Sequence, residues 1–366
     1  GDHRDLHYPL RRQRQMCIRD RTMRVYEEAV SNLNILVIKI SAVGDIILSM
    51  PSFKALRRHF PKARIYALVG RRGRDVLSTS PYVDEVIVYD KPADAGLVNR
   101  IFSVSSELRR NCFDMVIDLQ NSKISHLLAF LSGSPKRVGY RNNKFDFFLT
   151  DRIEGAKLRI PPVEHQFKLL NSIGIAPKDK DIELFPTEYD KMHIDKFLAG
   201  EWISEKQILV GINPGGSMRW QTKRWPLENF AVLCNKLAQK GIRVVVTGAK
   251  DESDSLRGLF SMAHSKPINA IGKTTLMELA CLIKRCNLFI TSDSAPMHIA
   301  AAVSTPCIAL FGPTDPARHL QDRDKVTVIR KDLPCSPCYR PSCSVKKCMK
   351  KINVEEVLGA VMDILK

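Results

Sequence analysis

Three short stretches of this 366-residue chain hold residue types suited to group transfer. Ser41-Ala42-Val43-Gly44-Asp45 sets a carboxylate beside a glycine, just after an apolar run. Such an acid either caps the next helix or reaches out as a general base. A capping Asp needs no glycine before it, which favours the base. In Asn213-Pro214-Gly215-Gly216-Ser217 the small residues let backbone N–H groups approach phosphate oxygens. Lys223 and Arg224, just before Trp225-Pro226, add positive charge suited to a diphosphate; a plain strand-to-helix turn is the competing reading. The third stretch, Thr291-Ser292-Asp293-Ser294-Ala295-Pro296-Met297-His298, puts an acid at a strand end and small residues at a helix start. The first N–H groups of a helix lack intrahelical partners and favour an anion. Asp293 either caps that helix or holds the hydroxyls of a bound sugar. His298, one turn in, reads as a buried structural histidine.

The elements that position these stretches follow from apolar periodicity. Asn34–Ile40 is a continuous apolar run, the pattern of a strand buried on both faces. Residues 46–59 show helical spacing, with Lys54, Arg57 and Arg58 toward the end. Strands follow at 64–69, 85–89 and 115–119, with helices at 74–78 and 97–110. The second half alternates likewise: strands at 207–212, 243–247, 288–292 and 306–311, and helices at 227–240, 276–285 and 294–303. The expected architecture is α/β, with two doubly wound, Rossmann-like domains facing across a cleft. The stretch 186–206 carries no buried strand and reads as the interdomain linker. Residues 354–365 form a terminal amphipathic helix.

Composition narrows the field. The net charge of +18 suggests an anionic partner, and 44% hydrophobic residues exclude a disordered chain. No run of 18 apolar residues exists, and the first 32 residues mix Arg with polar residues and hold no signal-peptide core. The expectation is a cytoplasmic protein whose residues 1–32 are a disordered or non-native tail, with Met23 as the true start. Neither GxGxxG nor GxxxxGK[ST] occurs, so dinucleotide redox chemistry and P-loop phosphoryl transfer lose their signatures. A basic nucleic-acid binder is the reading from another class, but no helix-turn-helix, zinc-finger or RNP pattern supports it. Cys335, Cys338, Cys343 and Cys348 begin with the C-x₂-C of structural zinc sites but continue with wider spacing. Unbound thiols are favoured there over zinc or oxidised pairs.

Taken in order, I-x-x-x-G-D-I-x-x-S-x-P, N-P-G-G-S-x(5)-K-R-W-P, S-D-S-A-P-M-H-I-A-A-A and L-F-G-P-T resemble glycosyltransferase family 9, the ADP-heptose:lipopolysaccharide heptosyltransferases. The resemblance spans residues 33–366. It implies a GT-B fold and an inverting transfer of heptose from ADP-heptose to the lipopolysaccharide inner core, with no required metal or cofactor. It implies an acceptor-binding domain over 33–190 and a nucleotide-sugar domain over 207–334. A Cys-rich loop (335–352) follows, then a helix (353–366) that packs back on the first domain. Asp45 becomes the general base and Lys223 the holder of the donor phosphates. Gly215, Gly216, Ser217 and Arg224 line the donor, and Glu252 holds its ribose. Thr274 lies near the adenine, Asp293 faces the transferred sugar, and the N–H groups of Ser294 and Ala295 meet the diphosphate. Gly44, Lys123, Arg137 and Arg141 are the acceptor candidates. Well-known members read T-G-L-S-H where this chain has Ser294-Ala295-Pro296-Met297-His298, which leaves the donor sugar open. Another GT-B nucleotide-sugar enzyme, such as an epimerase, stands as the alternative. The expected partners are the nucleotide sugar, the core acceptor and the anionic inner face of the cytoplasmic membrane.

Overall fold

The computed structural model describes residues 33–89, 96–155, 160–217, 219–320 and 325–366. The tail reading of residues 1–32 lies outside the described residues. The first half runs β1 (Asn34–Ile38), α1 (Val43–Ile47), α2 (Met50–His59), β2 (Arg64–Gly70), α3 (Arg74–Ser78), β3 (Glu85–Tyr89), α4 (Leu97–Arg110), β4 (Met115–Asp118), α5 (Lys123–Leu131), β5 (Lys136–Tyr140) and β6 (Asp151–Ile153). The second runs α6 (Pro162–Asn171), α7 (Glu188–Gly200), β7 (Leu209–Asn213), α8 (Leu227–Gln239), β8 (Arg243–Val246), α9 (Ser253–Met262), β9 (Ile268–Asn269), α10 (Leu276–Arg285), β10 (Leu288–Ser292), α11 (Ala295–Ala302), β11 (Cys307–Phe311), α12 (Pro316–His319) and β12 (Val326–Arg330). The chain ends in α13 (Lys347–Lys350) and α14 (Val354–Ile364).

Each half builds one six-stranded sheet, ordered β3-β2-β1-β4-β5-β6 and β12-β11-β10-β7-β8-β9. Numbered within its own half, each follows the doubly wound order 3-2-1-4-5-6, whose direction reverses beside the first strand. In the second sheet that reversal falls between β7 and β10, which pair in parallel from Leu288 against Val210 to Thr291 against Asn213. The loops leaving these two strands are the Pro-Gly-Gly-Ser stretch and the Asp293 stretch. The all-apolar segments make the buried strands, as expected: Ile35 to Ile38 and Leu288 to Ile290 are fully buried.

Two compact units emerge. Among the described residues, one holds 33–38, 53–68 and 82–155, and the other 39–52, 69–81 and 160–366. The segment carrying Gly44 and Asp45 therefore belongs with the second unit, although it follows the first strand of the first sheet.

Several local expectations are corrected. The single helix expected over 46–59 is two, α1 and α2, with Leu48 and Ser49 between them and Pro51 in the first turn of α2, where a missing N–H costs nothing. The supposed linker contains α7. Thr187 caps that helix, accepting from Asp190 N at 3.2 Å while its own N–H donates to Asp190 Oδ2 at 2.7 Å. Ile194 and Leu198 of α7 are buried with Leu209, Val245 and Leu282. The run around Lys136 and Arg137, to which the sequence analysis assigned no element, is strand β5, paired with β4 from Met115 opposite Lys136. The terminal helix α14 is part of the second unit's core: Val357, Leu358 and Val361 are buried with Val210, Trp225, Phe230 and Leu310.

Candidate active site

The second unit assembles its polar centre from four loop ends. Asp293, just past β10, is the hub. Lys223 Nζ lies 2.6 Å from Asp293 Oδ2, and the Thr314 hydroxyl donates to the same oxygen at 2.7 Å. His319 Nδ1 stands 3.6 Å from Oδ1. Burial pushes the Asp293 carboxyl upward; the His319 and Lys223 charges and the bonds from Lys223 and Thr314 outweigh it and hold the group below the usual carboxylate range. Lys223 comes from a short 3₁₀ turn, Gln221–Lys223, and its ammonium also lies over the Trp220 ring, 4.9 Å from the centroid.

Asp293 does not cap α11. The N-cap is Ser294, whose side chain makes no capping bond, and Pro296 presets the first turn. His298 is buried one turn in. Burial drives its imidazole down to about 4, against the opposing pull of Asp293 and Asp45, so the ring is neutral near pH 7. Its edge lies close to Gly44: a Cβ there would come 2.8 Å from His298 Cδ2. The glycine before the acid is thus explained by the histidine behind it. Asp45 is the third residue of α1, and its Oδ2 accepts Ala42 N at 3.0 Å. The charges of Asp45, Asp293, Lys223 and His319 all bear on His298, which brings the expected base and the expected phosphate lysine into one neighbourhood.

The glycine loop is held from below. Glu252 is buried; Oε1 accepts Gly216 N at 2.6 Å and Oε2 accepts Ala249 N at 2.9 Å. Arg224 Nη2 donates to Gly216 O at 2.6 Å and lies 3.2 Å from Glu252 Oε1. A Cβ on Gly215 would come 2.5 Å from the Glu252 carboxylate, so only glycine fits there. Gly216 has φ +144, a conformation side chains rarely adopt. Glu252, expected at the ribose, ties the loops after β7 and β8 together. Thr274 sits on the loop between β9 and α10, half-buried, beside Thr275, which caps α10 reciprocally with Glu278.

Sequence reasoning gave Thr314 only as the end of the L-F-G-P-T motif, with no role, and missed His319 and a strap from the Cys-rich loop. Cys338 N and Tyr339 N both donate to Pro313 O, at 3.0 and 2.9 Å, and Ser336 Oγ donates to Gly312 O at 2.6 Å. The Tyr339 hydroxyl accepts Asp315 N at 3.2 Å. On the other flank Thr222 Oγ1 donates to Arg340 O at 2.7 Å. The strap thereby fixes the neighbours of Thr314 and of Lys223. The signal for the His319 turn was present: Asp315-Pro316 after a buried strand is a cap followed by a helix-starting proline, and Asp315 Oδ1 does accept Ala317 N at 3.0 Å. Cys335, Cys338 and Cys343 are exposed free thiols, and Cys348 is a partly buried one. Among the described residues no three His, Cys, Asp or Glu side chains converge in a way that could hold a metal ion.

The remaining acceptor candidates lie in the first unit. Arg137 is engaged by its own fold: Nε donates to Phe148 O at 2.7 Å and the guanidinium lies 5.7 Å from the Phe130 ring centroid. Arg141 pairs with Glu154 at 3.0 Å on the surface, a contact of little energetic weight. Lys123 opens α5 with its ammonium 5.6 Å from the Phe145 ring centroid.

Comparison with known proteins places this architecture. A structure of a glycosyltransferase family 9 protein from Veillonella parvula aligns with a TM-score of 0.79 at 26% identity, covering 91% of this chain and 97% of that one. The Escherichia coli ADP-heptose LPS heptosyltransferase II structure aligns at 0.74 and 24% identity, over 91% and 98%. Lipopolysaccharide heptosyltransferase 2 of Escherichia coli K12 is 30% identical over 310 residues, 81% of this chain and 88% of that protein. The protein is an enzyme with the GT-B fold, a glycosyltransferase. The model of glycosyltransferase family 9 (heptosyltransferase) matches residues 101–349, and the chain belongs to that family.

Proposed function

We propose that this enzyme transfers heptose from ADP-heptose to an acceptor hydroxyl of the lipopolysaccharide inner core, with inversion. The names of its relatives support the donor and acceptor. One set of contacts supports the chemistry: Lys223 pairs with Asp293 at 2.6 Å, and His298, which feels the charges of both and of Asp45, packs against Gly44, the residue before Asp45. Asp45 takes the proton from the acceptor hydroxyl as that oxygen attacks the anomeric carbon. The bond from that carbon to the ADP oxygen breaks on the opposite face, and ADP leaves with new negative charge. Lys223, shared between Asp293 and the diphosphate, neutralises it together with Arg224 and the N-terminus of α11. A single carboxylate base and a cationic leaving-group pocket suit one displacement with inversion, whereas hydrolytic glycosidases use a paired acid and base. These cationic groups supply the charge that a metal would otherwise bring. Gly215, Gly216, Ser217 and Thr274 lie along the donor, and Glu252 holds the loops that receive it. The enzyme works as a peripheral protein on the inner face of the cytoplasmic membrane, where such an acceptor is presented. Among the described residues no helix is long and apolar enough to cross a membrane.

The test is a donor panel. The protein is mixed with ADP-heptose and truncated lipopolysaccharide acceptors, and ADP release is followed beside an Asp45→Ala control. Acceptor-dependent release from ADP-heptose, lost in the control, is the expected result. Release from a different nucleotide sugar alone would overturn the donor assignment.

A further inference from the structure

The first unit carries an aromatic surface that the reaction does not use. Phe102 on α4 is 76% exposed and Phe147 is 62% exposed, values out of keeping with side chains that serve a core. They are linked rather than scattered. Phe102, Ile101, Leu127 and Leu131 line one open groove between α4 and α5. Phe130 of α5 stacks on Phe148 at 4.6 Å, and Phe147 meets Phe148 at 4.4 Å. Groove and ring cluster share helix α5, where Phe130 lies within one turn of Leu127 and next to Leu131, so exposed apolar groups occur on α4, on α5 and at the turn at 145–148. Exposed apolar surface gathered in this way marks an interaction site.

Its rim is basic. Arg109 and Arg110 border the groove, Lys123 covers Phe145, Arg137 covers Phe130, and Lys144 is exposed beside them. Over α4, α5 and the 142–148 segment the acids are Glu107, exposed, and Asp146, buried. Aromatic rings flanked by Lys and Arg match a layer with acyl chains below and anionic headgroups above. A soluble acidic partner would select the charges without the exposed phenylalanines.

We propose that this patch is the surface by which the enzyme docks on an anionic lipid bilayer, inserting Phe102 and Phe147 while Arg110 and its neighbours meet the headgroups. The proposal rests on the reading that the acceptor is presented by a membrane, but its test needs neither donor nor acceptor. The purified full chain is sedimented with vesicles of phosphatidylethanolamine and phosphatidylglycerol, and with phosphatidylcholine vesicles alone. The expected result is salt-sensitive binding to the anionic vesicles only. Binding should fall about tenfold or more in Phe102→Ser/Phe147→Ser, whose thermal melt stays that of the parent. An Arg110→Glu variant should weaken anionic binding without creating binding to phosphatidylcholine. No binding by the parent, equal binding by the double variant, or a patch that instead drives self-association in sedimentation velocity, each overturns it. Should the donor panel fail while this binding stands, the chemistry is misread and the surface is not.

Discussion

Lys223 and Asp293 form a largely buried ion pair, 2.6 Å apart with side chains 16% and 4% exposed. A lysine held this way is positioned before substrate arrives, and the acid stays ionised because His319, Lys223 and Thr314 face it. If the proposed role holds, Lys223→Met removes both the cation that would neutralise the leaving group and the partner of a buried carboxylate. Turnover should fall about 10²–10³-fold, and unfolding stability by about 3–5 kcal/mol. Lys223→Met/Asp293→Asn should recover much of the stability and none of the turnover. Urea unfolding and ADP-release assays on the two variants check this.

Asp45 answers a different question. Asparagine keeps the acceptor oxygen that takes the Ala42 N–H, so α1 should form as before. Asp45→Asn should lower turnover about 10²–10⁴-fold with donor KM little changed and an unaltered melt. A comparable loss of donor affinity would assign Asp45 to binding.

His298 makes stability depend on pH. Its folded pKa of about 4 lies below the ordinary value of 6.5, so the unfolded chain binds the proton more readily between the two. The stabilisation is complete above pH 6.5 and is lost as pH falls toward 4, by about 3 kcal/mol in all. Asp293, also depressed, adds a loss at lower pH in the same direction. Urea midpoints measured from pH 7 to 4.5 should fall, and His298→Gln should flatten the upper part of that slope.

Gly44 leaves no room for a side chain, since a Cβ would meet the His298 ring at 2.8 Å. Gly44→Ala should cost about 1–3 kcal/mol and reduce turnover by moving Asp45, with donor binding by calorimetry preserved.

In the proposed reaction the leaving group is served by Lys223, Arg224 and a helix end. Reaction rates should accordingly be unchanged by EDTA, with divalent cations added back as the control.

Much of the fold was legible because buried parallel strands are apolar without interruption. Asn34–Ile38 and Leu288–Ser292 announced themselves, and the small-residue loops after β7 and β10 marked the edge where ligands bind in such sheets. α7 was missed because its face is held by few apolar residues, chiefly Ile194 and Leu198, in an otherwise charged stretch. β5 was missed because Lys136 and Arg137 look like loop residues, though Val138 and Tyr140 are buried. The destination of the last helix is a question of tertiary packing, and no local pattern encodes which core receives Val357 and Val361. The same holds within the site. The residue types at Asp45, Lys223 and Asp293 declared an interest in chemistry, but the partnership of Asp293 with Thr314 and His319 is made by chain segments distant in sequence.

The strap at 336–340 has one more consequence. It is exposed at several positions and touches Pro313 on one side and Thr222 on the other, while α14 beyond it is anchored independently in the second core. A single proteolytic nick in that segment would leave both sheets and the terminal helix in place, yet unfasten Thr314 and Lys223 from their common brace. The clipped enzyme would melt like the intact one and turn over like a damaged one.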